Sequence, residues 1–293
     1  MSVIKDFICS YIMGDSYGLS VLNNKDRIDD IKLQDNNYLN IKKGSMSSMS
    51  TFMLASMDSI IKNKKILPID IINKMCTSLI VGKYTNEGKV YDLDKNTLII
   101  LEYYSRKNNL NINYNELDNS SYVLSIVIPI IFYNYYNEDN LDILCSIINT
   151  ININEEVLFG TFIYYKYVLN LLDGKDKYKA LKIDIPKGFS SEVKNKYKNI
   201  LKNNIYYKDI KFDDSILNVI SIVFYVILNT NSFEEIFNML KHIEGKTNIY
   251  FSLICGIGGI LYGKDDINTK LYKDLKNKRD INKYINEFER MFI

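Results

Sequence analysis

The chain has 293 residues, of which 47% are hydrophobic and 25% charged, and its formal net charge is +2. This length can bury a large core, and the composition is that of a globular protein. The near-neutral charge excludes a strong electrostatic footprint for nucleic acid, so we expect no nucleic-acid partner.

The start of the sequence, MSVIKDFICSYIMGDSYG, lacks the basic residues, apolar run and cleavage site of a signal peptide. The longest apolar runs, VLSIVIPIIFY and IYFSLICGIGGILY, fall short of the ~20 residues that a membrane span requires. The four cysteines are far apart and show no CxxC spacing, which favours free thiols in a reducing compartment. We therefore expect a cytoplasmic protein with no membrane partner.

Helical periodicity recurs along the chain, and strand alternation is scarce. The predicted helices are Val3–Leu22, Ser50–Lys62, Pro68–Gly82, Lys95–Lys107, Ser120–Tyr136, Leu141–Ile151, Glu155–Leu172, Ser191–Asn203, Asp214–Leu228, Ser232–His242, Asn248–Tyr262 and Asp280–Phe292. Pro129 predicts a kink or a break, and the acidic pairs Asp213–Asp214 and Asp265–Asp266 are interpreted as helix caps or solvated loop. No linker rich in Gly, Ser or Pro divides the chain. The sequence therefore predicts one all-α domain over residues 1–293.

Five segments follow one another in a particular order: GDSYG (Gly14–Gly18), GSMSSMSTFMLASMDSI (Gly44–Ile60), GKYTNEGKVYDLDKNT (Gly82–Thr97), SSYVLSIVIP (Ser120–Pro129) and NSFEEIFNMLKHIEGKTNIYFSLICGIGGILYGKDDI (Asn231–Ile267). They resemble, in the same order, motifs of the ADP-ribosylglycohydrolase family, of the dinitrogenase reductase activating glycohydrolase type. The resemblance spans residues 3 to about 268 and implies a single compact multi-helix domain. It also implies a divergent member, because several motif positions have changed.

The family's TDDT and DTDT motifs imply two Mg²⁺ or Mn²⁺ ions beside the ADP-ribose. Such hard cations require several oxygen ligands and can activate a water for attack on the ribose linkage. The positions that face these motifs here, and that we expect to mark a vestigial metal site without bound metal, are Ser47, Ser48, Met49, Lys246, Asn248 and Ile249. Lys246 is the most informative change, because an ammonium repels a cation and can occupy its place electrostatically.

Six further positions fall in or near the matching motifs. We expect the following side chains to line a cleft: Asp15, Ser50, Asp92, Asp94, Ser121 and Thr247. Where the family has the Asn and Arg of GNGALMR, this chain has Ser121 and Ile126, and the single histidine, His242, precedes the last motif. No catalytic residue is assigned. Taken without the resemblance, the serine-rich stretch is also typical of an ordinary helix N-cap.

The resemblance and these replacements together predict a catalytically inactive protein. It would bind an ADP-ribose or nucleotide ligand, or a protein partner, and would require no cofactor. One alternative is an active hydrolase that removes ADP-ribose with Mg²⁺ or Mn²⁺ through a rearranged site built on Asp15, Asp92 or Asp94. Another is a pure interaction or antagonist module whose cleft is filled by Met49, Lys246 and Ile249.

Overall fold

A computed structural model describes residues 2–23, 31–110, 112, 114–116, 118–137, 140–263 and 266–292, with no account of the side chains of 266–268. Asp265 and the side chain of Asp266 lie outside the described residues, and so does the interpretation of this second acidic pair. Within this part of the chain, β-structure is limited to the isolated bridges Asn36–Ile41 and Ser120–Ser215. The expectation of an all-α fold is confirmed.

The α-helices of the described residues follow one another as α1 (Val3–Val21), α2 (Ser48–Asn63), α3 (Pro68–Val81), α4 (Lys95–Lys107), α5 (Leu124–Tyr136), α6 (Leu141–Asn149), α7 (Glu155–Leu172), α8 (Ser191–Lys196), α9 (Lys198–Leu201), α10 (Ile216–Leu228), α11 (Phe233–Leu240), α12 (Thr247–Tyr262), α13 (Asp266–Lys273) and α14 (Lys278–Glu289). Single 3₁₀ turns occur at Lys179–Leu181 and Tyr207–Asp209.

Helices α2 and α5 begin at residues other than those predicted. Helix α2 starts at Ser48 because the hydroxyl of Ser47 accepts a hydrogen bond from the amide of Met49 and so acts as the N-cap. Helix α5 starts only at Leu124, since the preceding residues turn to form the bridge to Ser215. Of the kink or break predicted at Pro129, the break is wrong, because α5 continues through this residue.

Three other features differ from the predicted helices. The helix predicted over Ser191–Asn203 is divided at Tyr197 into α8 and α9. Helix α13 was not predicted. The N-cap of α10 is Ser215, and the Asp213 carboxylate accepts hydrogen bonds from the amide and hydroxyl of that residue at 3.0 and 2.6 Å.

Helices α1 and α12 form the centre of the molecule and pack at very short range. Two glycines of α1 permit this approach. A Cβ atom on Gly14 would lie 2.2 Å from the carbonyl oxygen of Phe251, and one on Gly18 would lie 2.4 Å from that of Thr247. The close approach places Asp15, which lies between these glycines in the sequence, beside the beginning of α12.

The remaining helices surround this pair and share one apolar core. Helix α2 packs against α3, α5 and α14, while α10 lies against α7 and α12. The first turn of α2 and the first turn of α12 are thereby brought to the same region of the fold. None of the helices in the described ranges combines the length and apolar character needed to cross a membrane.

Candidate functional site

The first element of the site is the start of α2, which is bound to a carboxylate of α1. The amides of Ser47 and Ser50 donate to Asp15 Oδ2 at 3.0 and 3.2 Å, and the Ser47 hydroxyl donates to Asp15 Oδ1 at 2.5 Å. The first amides of a helix have no partner within the helix, and its N-terminus favours negative charge. Asp15 therefore acts as the anion at the start of α2.

Asp15 is fully buried. Burial raises the pKa of this carboxyl from its ordinary value of 3.8 to about 6, although the hydrogen bonds from Ser47 and Ser50 oppose the shift. The carboxyl thus titrates in a mildly acidic range while its oxygens remain bound to the backbone of α2.

The second element is the loop between α3 and α4, which carries Asp92. This residue has a φ of +47°, in the left-handed region that non-glycine residues seldom adopt. Two hydrogen bonds from Ser48 hold the loop: its amide donates to the Tyr91 carbonyl at 2.8 Å and its hydroxyl to the Asp92 carbonyl at 2.5 Å. The start of α2 therefore fixes the position of Asp92.

The third element is an ion pair between Asp92 and the N-cap residue of α12, Lys246. Lys246 Nζ lies 2.8 Å from Asp92 Oδ1 and 3.2 Å from the hydroxyl of Tyr122, which itself donates to Asp92 Oδ2 at 2.9 Å. The side chains of Lys246 and Asp92 are 34% and 12% exposed, so the pair is shielded from solvent on the aspartate side.

Asn248 connects these elements. Its side-chain amide donates to Ser47 Oγ at 3.1 Å and to Asp92 Oδ2 at 2.8 Å. A continuous polar network therefore runs from Asp15 through Ser47 and Asn248 to Asp92 and Lys246. The two motifs that sequence comparison places far apart in the chain are in contact. Asn248 Oδ1 is buried without a hydrogen-bond partner in the described part of the chain.

The other expected positions divide into buried residues and a helix cap. Met49 and Ile249 are fully buried and belong to the apolar core. Ser121 and Thr247 are also fully buried; the Ser121 amide donates to the Asp214 carbonyl at 2.9 Å, and the Thr247 hydroxyl donates to the Gly18 carbonyl at 2.7 Å.

Asp94 is the N-cap of α4, since its carboxylate accepts from the amide of Thr97 at 2.9 Å. Burial raises its pKa, and the charge of Asp118 adds to the shift. The hydrogen bonds found for Asp94 connect it to its own helix and not to the network around Asp92.

Sequence reasoning missed Tyr122 and placed Asp214 in a cap. Tyr122 binds both members of the Lys246–Asp92 pair, and burial and the charge of Asp92 raise its pKa far above the usual range. Burial also raises the pKa of Asp214, against the attraction of the Lys246 charge. The one available signal for Tyr122 was its position next to Ser121 in a motif segment.

The carboxylates of the site are already engaged by hydrogen bonds within the protein. Both oxygens of Asp92 accept hydrogen bonds from the chain itself, and Asp15 is sealed against α2. Among the described residues, no group of three or more His, Cys, Asp or Glu side chains is arranged to hold a metal ion.

No protein-family model matches this chain, and no curated protein does. Among solved structures, the chain is similar to one described as an "ADP-ribosylglycohydrolase-related protein complex", with a TM-score of 0.79 and 13% sequence identity. The similarity covers 99% of this chain and 98% of that chain. At this identity the similarity shows the fold alone, and it confirms the fold that the motif resemblance implied.

Proposed function

We propose that this chain is a catalytically inactive cytoplasmic protein with the ADP-ribosylglycohydrolase fold, which binds an ADP-ribosyl or nucleotide ligand without hydrolysing it. The observation that carries the proposal is the ammonium of Lys246, 2.8 Å from Asp92 at a position where the resemblance implies a metal ligand. A positive charge of the chain occupies the place of a cation.

Ligand chemistry supports the loss of metal-dependent hydrolysis. A two-metal site requires several anionic oxygen ligands, and carboxylates supply most of its affinity. The replacements in the two motifs offer hydroxyl, thioether, amide and alkyl groups instead. The hydroxyl of Ser48 and the amide of Asn248 are already hydrogen-bonded to Asp92. A divalent cation approaching Asp92 would be repelled by the Lys246 ammonium and would have to displace it.

Two buried polar atoms support a small-molecule ligand, one in the network around Asp92 and one in the residue that precedes Tyr122. Asn248 Oδ1 and Ser121 Oγ are buried without hydrogen-bond partners in the described residues. Buried polar atoms without partners are costly, and a hydroxyl-bearing ligand such as a ribose can supply both donors and acceptors.

A protein partner is the second candidate function. It is supported by Met49, a buried apolar side chain at a position where the motif resemblance implies a carboxylate, and by Ile249, a buried apolar side chain where it implies a threonine. The structural relative is itself described as a complex. In this case the polypeptide would act as an interaction or antagonist module.

Two measurements on the purified chain separate these functions from the active alternative. Isothermal titration calorimetry with ADP-ribose, with and without Mn²⁺ or Mg²⁺, should show ligand binding that does not depend on the metal. Incubation with ADP-ribosylated protein should release no ADP-ribose. Metal-dependent release of ADP-ribose would refute the proposal that the protein is inactive. Absence of heat with ADP-ribose would refute the proposed ligand binding and would favour the protein-partner function.

A matched pair of variants tests the role of the site. Asn248→Ala should weaken the binding of ADP-ribose. Asn229→Ala should leave it unchanged, because Asn229 is exposed and its side chain donates to the Tyr225 carbonyl of the preceding helix, α10, away from the network around Asp92. Circular dichroism of both variants establishes that each is folded.

A further inference from the structure

A second polar feature lies outside the candidate site, between the turn that follows α3 and helix α14. A pocket of about 250 Å³ opens there. Its lining includes Lys83 and Tyr84 from the turn and Asp280, Lys283 and Tyr284 from α14. None of the residues of the polar network around Asp92 lines it.

Two residues that line this pocket, Lys83 and Tyr84, belong to a lysine cluster built on a single buried carboxylate. Asp58 Oδ2 accepts from the ammonium groups of Lys62, Lys74 and Lys83 at 3.1, 3.1 and 3.4 Å, and from the hydroxyl of Tyr84 at 2.5 Å. Three lysines around one carboxylate exceed what neutralisation requires. The side chains of Lys62 and Lys83 are 55% and 38% exposed, so part of this excess charge reaches the surface.

The turn itself has an unusual backbone at the pocket. Tyr84 has a φ of +66°, a conformation that favours glycine. Such residues persist only where their surroundings hold them, and they concentrate at binding sites. The ring of Tyr84 lies 4.6 Å from Lys83 Nζ and 5.7 Å from the ring of Tyr284. The conformation therefore places the Lys83 ammonium and the Tyr84 ring at the pocket, beside the ring of Tyr284 on α14.

The opposite wall supplies a second cation and an acceptor. Lys283 is exposed and forms no hydrogen bond or ion pair within the described residues, and Asp280 lies one turn earlier on α14. The four lysines of this region are matched in number by Asp58, Asp70, Asp280 and Glu287, so the unpaired ammonium of Lys283 and not a net positive charge would attract an anion. Lysine binds phosphate as a compact point charge.

We propose that this pocket binds a small phosphomonoester, with its phosphate between Lys83 and Lys283. Its organic part would lie along the rings of Tyr84 and Tyr284, and its hydroxyls would donate to Asp280. The volume of about 250 Å³ is below the roughly 300–1,000 Å³ of pockets for drug-sized ligands, which restricts the ligand to a short phosphorylated polyol.

Calorimetry with three probes tests the proposal: glycerol 3-phosphate, inorganic phosphate and glycerol. Glycerol 3-phosphate should bind at least about fivefold more tightly than inorganic phosphate, and its affinity should fall with added salt, while glycerol gives no heat. Absence of heat with glycerol 3-phosphate would overturn the proposal. Equal affinities for the two phosphates would also overturn it, because they indicate an adventitious anion.

Substitutions assign the binding to this pocket. Lys283→Met should reduce the affinity for glycerol 3-phosphate about fivefold, because one charge contact with the phosphate is lost. Lys95→Met is the matched control, since Lys95 is exposed at the start of α4 and away from the pocket. Equal affinities of these two variants would refute the location. Asp280→Asn should raise the affinity for inorganic phosphate and reduce the difference in affinity between inorganic phosphate and glycerol 3-phosphate. No change in either affinity would contradict the role of Asp280.

Discussion

Replacing Lys246 with Met tests whether its ammonium stabilises the junction of α2, α12 and the Asp92 loop. An exposed ion pair contributes 0–1 kcal/mol, whereas breaking a buried one costs about 3–5 kcal/mol. Asp92 is nearly buried but Lys246 is 34% exposed. Solvent screening therefore places the expected loss between these limits, at about 1–2 kcal/mol.

The corresponding change in melting temperature follows from the length of the chain. For 293 residues the unfolding entropy is about 0.6 kcal/mol/K, so a loss of 1–2 kcal/mol lowers the midpoint by about 2–3 °C. Thermal melts followed by circular dichroism can resolve this shift. Lys95→Met is again the control, and its midpoint should stay within about 1 °C of the unchanged protein.

A double-mutant cycle isolates the ion pair from the other contacts of each residue. Asp92→Asn retains an oxygen that accepts hydrogen bonds but removes the charge, and it is combined with Lys246→Met. The cycle should give a coupling energy of about 1 kcal/mol that decreases in high salt. A coupling energy indistinguishable from zero, or one that does not respond to salt, would refute the interpretation that the Lys246 ammonium stabilises the charge of Asp92.

Three further predictions concern buried groups. Folding raises the pKa of Asp15 from 3.8 to about 6, so the stability that its protonated form contributes is present below pH 4 and is lost as the pH rises to 6. Asp15→Asn should remove this decrease of about 3 kcal/mol in the free energy of unfolding. Burial acts to raise the pKa of Asp58, but its hydrogen bonds from Tyr84 and the lysines lower it to about 2. The free energy of unfolding should therefore decrease by about 2 kcal/mol as the pH falls from 4 to 2, and Asp58→Asn should remove this decrease. Gly14→Ala should destabilise the protein by about 3 kcal/mol or more, because its methyl group would meet the Phe251 carbonyl at 2.2 Å.

Urea unfolding at successive pH values measures the first two effects, as differences between the unchanged protein and each variant. Parallel pH profiles would contradict the pKa shifts of Asp15 and Asp58. For the glycine, Gly174→Ala is the comparison: a Cβ there meets nothing within 4 Å, so only its φ of +80° is unfavourable. A Gly14→Ala variant no less stable than Gly174→Ala would contradict the close packing of α1 and α12.

Local signals account for the helices that the sequence predicted to the residue. Helices α4 and α7 have the predicted bounds. Each begins after a side chain that caps it, Asp94 with the Thr97 amide and Asn154 with the Glu156 amide. Caps and periodicity lie within a few residues of the helix that they specify, so a single sequence contains them.

The contacts that build the candidate site join residues that are far apart in the sequence. Lys246 and Asp92 are 154 residues apart in the chain, and Asn248 and Ser47 are 201 residues apart. Nothing local predicts such a pairing. The motif resemblance did bring the two segments together, but it gave no partner for Lys246 and overlooked Tyr122, whose hydroxyl joins the ion pair only after the fold has formed.

The junction itself explains how a lysine and an amide stabilise the fold at positions where the motif resemblance implies charged ligands. The N-termini of α2 and α12 meet there, and both favour negative charge. Asp15 supplies it to the amides of α2, and Asp92 accepts from Asn248 in the first turn of α12. Two carboxylates in one hydrogen-bonded network require a counter-charge. Since Lys246 provides it from the same helix terminus, side chains of the protein itself hold the network together.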